Sequence, residues 1–145
     1  MKNGFTIRLA QDADSERVHE LVSAAGFAIE GVDWRELYPY WLVVETRLRQ
    51  GSGGQDGLSI VGCLQVCPGK PIGRLELLAA DKGLSHRDRA NTVKLLVTSG
   101  METLRQGGSK LASGIVPFEE RAYKRLLKKR GAVVVATGNL MMARL

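Results

Sequence analysis

The chain has little of several things, and each shortage excludes a class. It holds two cysteines, Cys63 and Cys67, in 145 residues, too few for a disulfide framework. Four apart on one expected strand, they point the same way but lie too far apart to bond each other, and both read as small buried side chains. There are only two histidines, His19 and His86, neither near the cysteines in sequence, so no metal site is expected. No apolar run approaches the ~20 residues needed to cross a bilayer. The opening residues, MKNGFTIRLAQDADSER, lack the apolar centre of a secretory leader, and a cytoplasmic protein is expected.

What remains is an ordinary globular composition, 44% hydrophobic and 25% charged, long enough for one domain with its own core, so residues 1–145 are read as a single unit. The formal charge of +6 and a pI near 9.6 suit a polyanionic partner without choosing among nucleic acid, an anionic surface and a phosphate-rich cofactor.

The chain is organised around GRLELLAADKGLSHRDRANTVKLL, residues 73–96. An apolar strand runs through a polar turn with basic side chains into a long amphipathic helix. Such a helix aims its first N–H groups and the positive end of its dipole beside the strand end, where a phosphate can be held. Ser85 and Asp88 form a Ser-x-x-Asp capping box that starts the helix at His86. Arg87 and Arg89 then sit in the first turn, where the dipole disfavours cations. A bound anion would relieve that conflict; a solvent-facing turn with no ligand is the plainer account.

Taken in order, Phe5–Ala10 alternates as a strand. Asp12 and Asp14 are cap candidates for a helix near 13–25, with Val18, Leu21, Val22 and Ala25 on one face. In GVDWRELYPYW (31–41) Asp33 can cap a short helix that Pro39 limits. Trp34 and Tyr38 share its face. They pack on the sheet, wall an acceptor pocket, or do both. Strands follow at 41–49, 58–67 and 72–80, the first two joined by the Gly-rich stretch 50–57. The organising helix continues to Arg105. An apolar strand at 110–116 makes a βαβ unit, parallel to 72–80. Pro117 opens a helix near 118–130, and Gly138–Asn139 turns a final hairpin. The cations at 124–130 are read as a solvated face favoured by the C-terminal dipole end, so nucleic acid is not an expected partner. A homodimer is compatible with the reading, and no membrane contact is expected.

The order β-α-α-β-β-β-α-β-α-β-β, with the strand LELLAA, the helix entry RDRANTVKLL, the segment PFEERAYKRLLKKRGA and the ending GNLMMARL, resembles the Gcn5-related N-acetyltransferase (GNAT) family over essentially the whole chain. The resemblance implies an α/β (α+β) fold, a mixed central sheet of about six or seven strands with about four helices. It implies transfer of an acetyl group from acetyl-CoA to an amine of a small molecule or a protein. The family's cofactor signature, Arg/Gln-x-x-Gly-x-Gly/Ala before a helix, falls on Arg87, Ala90 and Thr92, with Leu95 and Leu96 as the apolar pair; two of its glycines are replaced. Leu78 to Ala80 fall where the family's main chain holds the pantetheine arm, and Arg87 and Arg89 where the diphosphate is met. Glu76 is the acid placed to act as base, with a salt-bridged strand carboxylate beside Arg74 as the plainer account. The family's proton-donating tyrosine falls on Leu127, and Tyr123, one turn earlier, is counted as too far along the axis to replace it. The altered positions favour the alternative, a non-catalytic binding or structural protein on the same fold.

Overall fold

The computed structural model describes residues 4–27, 40–47, 57–114 and 121–131. These supply five strands, β1 (Phe5–Leu9), β2 (Trp41–Arg47), β3 (Leu58–Cys67), β4 (Ile72–Ala80) and β5 (Leu111–Gly114). A 3-10 turn (Asp12–Asp14) leads into α1 (Ser15–Ala24); α2 (His86–Gln106) and α3 (Arg121–Lys129) follow. The short helix expected after Asp33 and the closing hairpin of 132–145 lie outside the described residues, so the strand and helix counts here are lower than expected.

The sheet has the order β1-β2-β3-β4-β5. Its first three pairings are antiparallel; β2–β3 and β3–β4 follow directly in the chain, while α1 lies between β1 and β2. β4 and β5 are parallel, because a helix has to be crossed between them. α2 and α3 pack on one face over Leu42, Val44, Val61, Leu64, Val66, Leu75 and Leu78. α1 packs on the other, its Val18, Leu21 and Val22 lying over Trp41, Val43, Ile60, Cys63 and Ala79. The α2 face that covers the sheet is Val93, Leu96, Val97 and Leu104, all buried; at about 1.5–3 kcal/mol per large side chain this is roughly 6–12 kcal/mol of gross stabilisation.

Glycines on both sides of the contact let α2 pack tightly on the sheet. A Cβ built on Gly62 of β3 would lie 2.4 Å from Thr92 Cγ2, and one on Gly100 of α2 would lie 2.8 Å from Leu64 Cδ2 and 2.9 Å from Leu75 Cδ2. Neither position has room for a methyl group.

Asp14 does not cap α1 with its side chain, although its type and place suggest it would. Arg8 of β1 takes both its oxygens, Nη1 to Oδ2 at 2.6 Å and Nη2 to Oδ1 at 3.0 Å, and Nη2 also donates to Glu45 of β2 at 2.6 Å. A bidentate charged pair is stronger than a neutral cap. The guanidinium holds the Asp14 carboxyl below the usual carboxylate range, against the opposing effect of burial.

Candidate functional site: the bulged strand and the start of its helix

The site begins with a register change in β4. Cys63 of β3 is opposite Ala79, and Gln65 is opposite Glu76. Two steps on β3 therefore face three on β4, which is a bulge. Leu77 carries it, with φ of +51°, a left-handed conformation that costs a branched side chain roughly 1–2 kcal/mol. The bulge changes which residues face which way. Leu75 lies on the α2 face, but so does Leu78, three residues on, with Ala80 beside it. Leu77 and Ala79 face α1.

Among the described residues the parallel pairing reaches to just before the bulge. It runs from Ile72–Leu111 to Leu75–Gly114. Among the described residues, the β4 backbone from Glu76 to Ala80 has no partner on its β5 side. It keeps its other edge on β3 up to Ala80–Gly62. The result is a main-chain edge that leads to the turn 81–85 and the first residues of α2.

That turn is fixed by Asp81. Its amide donates to Val61 O at 2.8 Å. Its Oδ1 accepts the Gly83 amide at 2.8 Å, and its Oδ2 accepts Arg17 Nη2 at 2.5 Å. Arg17, on α1, also donates from Nε to Ile60 O at 3.1 Å. One guanidinium thus joins α1, β3 and the entry to α2. Asp81→Ala is expected to cost about 1–2 kcal/mol, the value of charged hydrogen bonds reduced for their partial exposure. Urea unfolding checks this, and an unchanged midpoint would show the turn needs no such tie.

Ser85 then caps α2 as its spacing suggests. Its Oγ accepts the Asp88 amide at 3.1 Å and its hydroxyl donates to Asp88 Oδ2 at 2.9 Å. The Arg89 amide donates to Ser85 O at 2.9 Å. The His86 and Arg87 amides have no partner among the described residues and open at the helix N-terminus.

The residues expected to meet a cofactor are therefore placed as follows. Arg87 is exposed on the first turn and Arg89 half-buried beside it. Ala90 is exposed one turn up. Thr92 lies in the core: its hydroxyl donates to Asp88 O at 2.9 Å and its methyl meets Gly62. The signature positions 87, 90 and 92 all lie inside α2, not in a loop before it. Leu78 is buried under α2, and Ala80 packs at its edge, so their side chains face the core. Trp34 and Tyr38 lie outside the described residues.

Glu76 precedes the bulge. Its Oε1 is 3.4 Å from Arg74 Nη1, and Cys67 Sγ stands 4.0 Å from its Oε2. Burial, then the Glu76 charge, push the Cys67 thiol up, with Arg74 opposing. Burial pushes Cys63 to about 12. Neither is an activated thiolate at neutral pH.

Tyr123, set aside above on spacing, has a defined place in the structure. It is 1% exposed, inside the core against the α2 side of the sheet. A methyl group placed on Gly114 would lie 3.5 Å from its hydroxyl and 3.0 Å from Leu75 O. The hydroxyl therefore stands beside the Leu75–Gly114 rung, with no hydrogen-bond partner among the described residues. Burial raises its pKa to about 12, so it is protonated at neutral pH. Leu127, one turn on, packs at the core margin. A cue did exist in the sequence: Tyr123 shares an apolar helix stripe with Leu126 and Leu127.

A separate cavity of about 260 Å³, on the α1 side, is lined by Asp14, Arg17, Glu45, Leu58, Ser59 and Ile60. Of the groups placed above in this site it shares only Arg17 and the Ile60 to which Arg17 donates. No described helix is long and apolar enough to cross a membrane.

No family model and no curated protein sequence matches the chain. Solved structures do. Rv2747 from Mycobacterium tuberculosis, solved in complex with CoA, matches with a TM-score of 0.67 at 15% identity, over 94% of this chain and 76% of that one. AAC(6')-Iy, solved with a CoA-containing bisubstrate analogue, matches with a TM-score of 0.66 at 12% identity, over 99% of this chain and 100% of that one. A Trypanosoma brucei acetyltransferase matches with a TM-score of 0.59 at 19% identity, over 97% and 99%. Identities this low speak to architecture, and the architecture is that of the Gcn5-related N-acetyltransferases.

Proposed function

We propose that residues 1–145 form an acyl-CoA-dependent N-acetyltransferase domain that moves an acetyl group from acetyl-CoA to an amine of a small molecule or protein. One observation carries this reading: the bulge at Leu77, just past the last β4–β5 pair among the described residues, Leu75–Gly114, turns the strand edge toward two open amides at the start of α2. An edge of unpaired N–H and C=O groups fits a ligand arm built from amides, and a helix N-terminus fits its diphosphate. Two solved structures with this fold contain CoA or a CoA analogue.

Acetyl-CoA, when bound, supplies a thioester carbonyl open to attack by an amine. The backbone of Leu78–Ala80 holds the arm, and the His86 and Arg87 amides with the Arg87 guanidinium hold the diphosphate. Arg89 adds positive potential. Glu76 receives the amine proton directly or through water. The Tyr123 hydroxyl donates a hydrogen bond to the leaving sulfur. At a pKa near 12 it is too weak an acid to give its proton fully to a thiolate of ordinary basicity near 8.5, so it stabilises the developing charge and solvent completes the transfer. Trp34 and Tyr38 are assigned to the acceptor side.

The second reading, a non-catalytic member of the fold, draws on Thr92 in the core and on Ser85 capping the Asp88 amide, both of which narrow the anion site. One experiment separates the two. Acetyl-CoA at millimolar concentration is expected to raise the melting temperature, and Arg87→Ala to abolish the shift. If wild type shows no shift, the transferase reading fails. If a shift appears but no thiol is released with a panel of amines, the protein is a CoA-binding module.

A further inference from the structure

Residues 121–131 carry six cations and no acid. All six are exposed, and five of them are Arg121, Lys124, Arg125, Lys128 and Lys129. At 3.6 residues per turn they fall on one stripe of α3. The opposite side, Tyr123, Leu126 and Leu127, is packed on the core. Arg130 reaches back instead, Nη2 donating to Thr98 Oγ1 at 2.9 Å, and ties the end of α3 to α2. None of the five stripe cations forms an ion pair among the described residues. The sequence has no acidic side chain from 121 to 145.

The helix dipole accounts for Lys128 and Lys129 in the last turn. It does not account for Arg121 and Lys124, which sit at the end where cations are disfavoured. The pairs 121/125, 124/128 and 125/129 place like charges at i,i+4, where each pair is destabilising. The stripe is therefore a cost to the isolated protein. The charge is also segregated: residues 82–145 have 13 Lys/Arg and four Asp/Glu, whereas residues 1–81 have eight and 11.

We infer that the outer stripe of α3 is a binding surface for the phosphodiester backbone of duplex DNA. An exposed helix about 10–12 Å across matches a B-DNA major groove about 12 Å wide. Lys124 and Lys128 lie on one flank of the stripe, and Arg121, Arg125 and Lys129 on the other, so both groove walls can be met. Long cationic side chains that reach phosphates give affinity without reading sequence. The A-form RNA major groove is too narrow for this seating. A bilayer is the poorer occupant, because the apolar side of α3 is already committed to the core and has nothing to insert. This surface does not depend on the acetyltransferase reading.

The test is fluorescence anisotropy of the full chain with a labelled mixed-sequence DNA duplex of about 20 bp, as salt rises from about 50 to 200 mM. With four or five phosphates neutralised, affinity is expected to fall about 10²–10³-fold over that range. Lys124→Gln with Lys128→Gln should lower the logarithmic salt slope by about two, and Arg121→Gln with Arg125→Gln should do the same from the other flank. Both pairs should raise the melting temperature slightly by removing repulsion, which shows that they fold. The inference is overturned by no duplex binding at the lowest salt, or by an unchanged slope in both double variants. Equal affinity for an A-form RNA duplex would also overturn it, as would retention on phosphatidylserine vesicles with no duplex binding.

Discussion

Gly62→Ala is expected to destabilise the protein by about 1–3 kcal/mol, the usual cost of overpacking a tight core. That corresponds to a fall of roughly 3–10 °C in melting temperature. The new methyl would stand 2.4 Å from Thr92 Cγ2, 3.1 Å from Leu96 Cδ1 and 3.3 Å from Ala79 O. The last is backbone within the sheet and cannot yield, so α2 has to move. Thr92→Ser removes the offending methyl and keeps the hydroxyl bond to Asp88 O. In the double variant most of the loss should return, giving a coupling of the sign that a shared contact requires. Thermal unfolding of the four proteins of the cycle measures this. A neutral Gly62→Ala, or a loss that Thr92→Ser leaves untouched, would mean α2 is not seated as described. The same contact bears on function, because Thr92 is less than two turns from the open amides of His86 and Arg87.

Tyr123→Phe is expected to lower kcat for acetyl transfer by about 10²-fold with KM little changed, in line with the loss of one donor to a developing negative charge. Stability should hold, since the hydroxyl has no partner among the described residues and the ring still fills its place. Steady-state kinetics with the best acceptor, beside a thermal melt, separates the two effects. A variant that melts like wild type and keeps its kcat would remove Tyr123 from the reaction. A variant that loses acetyl-CoA binding instead would make the tyrosine part of the channel wall.

Much of the scaffold was legible in the residues. The bounds of β3 and β4 follow from apolar alternation closed off by Gly57 and by Pro68–Pro71. The start of α2 follows from Ser85 and Asp88, because a cap is a local device. The site was less legible for a physical reason in each case. In LELLAA the residues at 77 and 78 are both leucine, so the pattern cannot say which belongs to which face, and the bulge is silent. Thr92 stands where a small residue would meet a diphosphate, yet its surroundings are set by Gly62, thirty residues away in the chain. Tyr123 was placed by its distance along a helix from an expected position. That its hydroxyl lies near Gly114 depends on how α3 lies across the strands, which spacing does not record. The cations of α3 were read as one run; only their arrangement around the helix separates those the dipole favours from those it does not.

The left-handed leucine in β4 works as a frame marker for everything after it. The extra residue is what lets Leu75 and Leu78, three apart, share the α2 face. Removing it would restore a plain alternating ribbon with Leu78 and Ala80 still directed at α2 and Ala79 at α1, so a one-residue deletion at 77 keeps both packed faces and takes out only the bend between them. Flattening the bulge at unchanged length is the more damaging change, because plain alternation from Leu75 would then send Leu78 and Ala80 to α1 and Ala79 to α2.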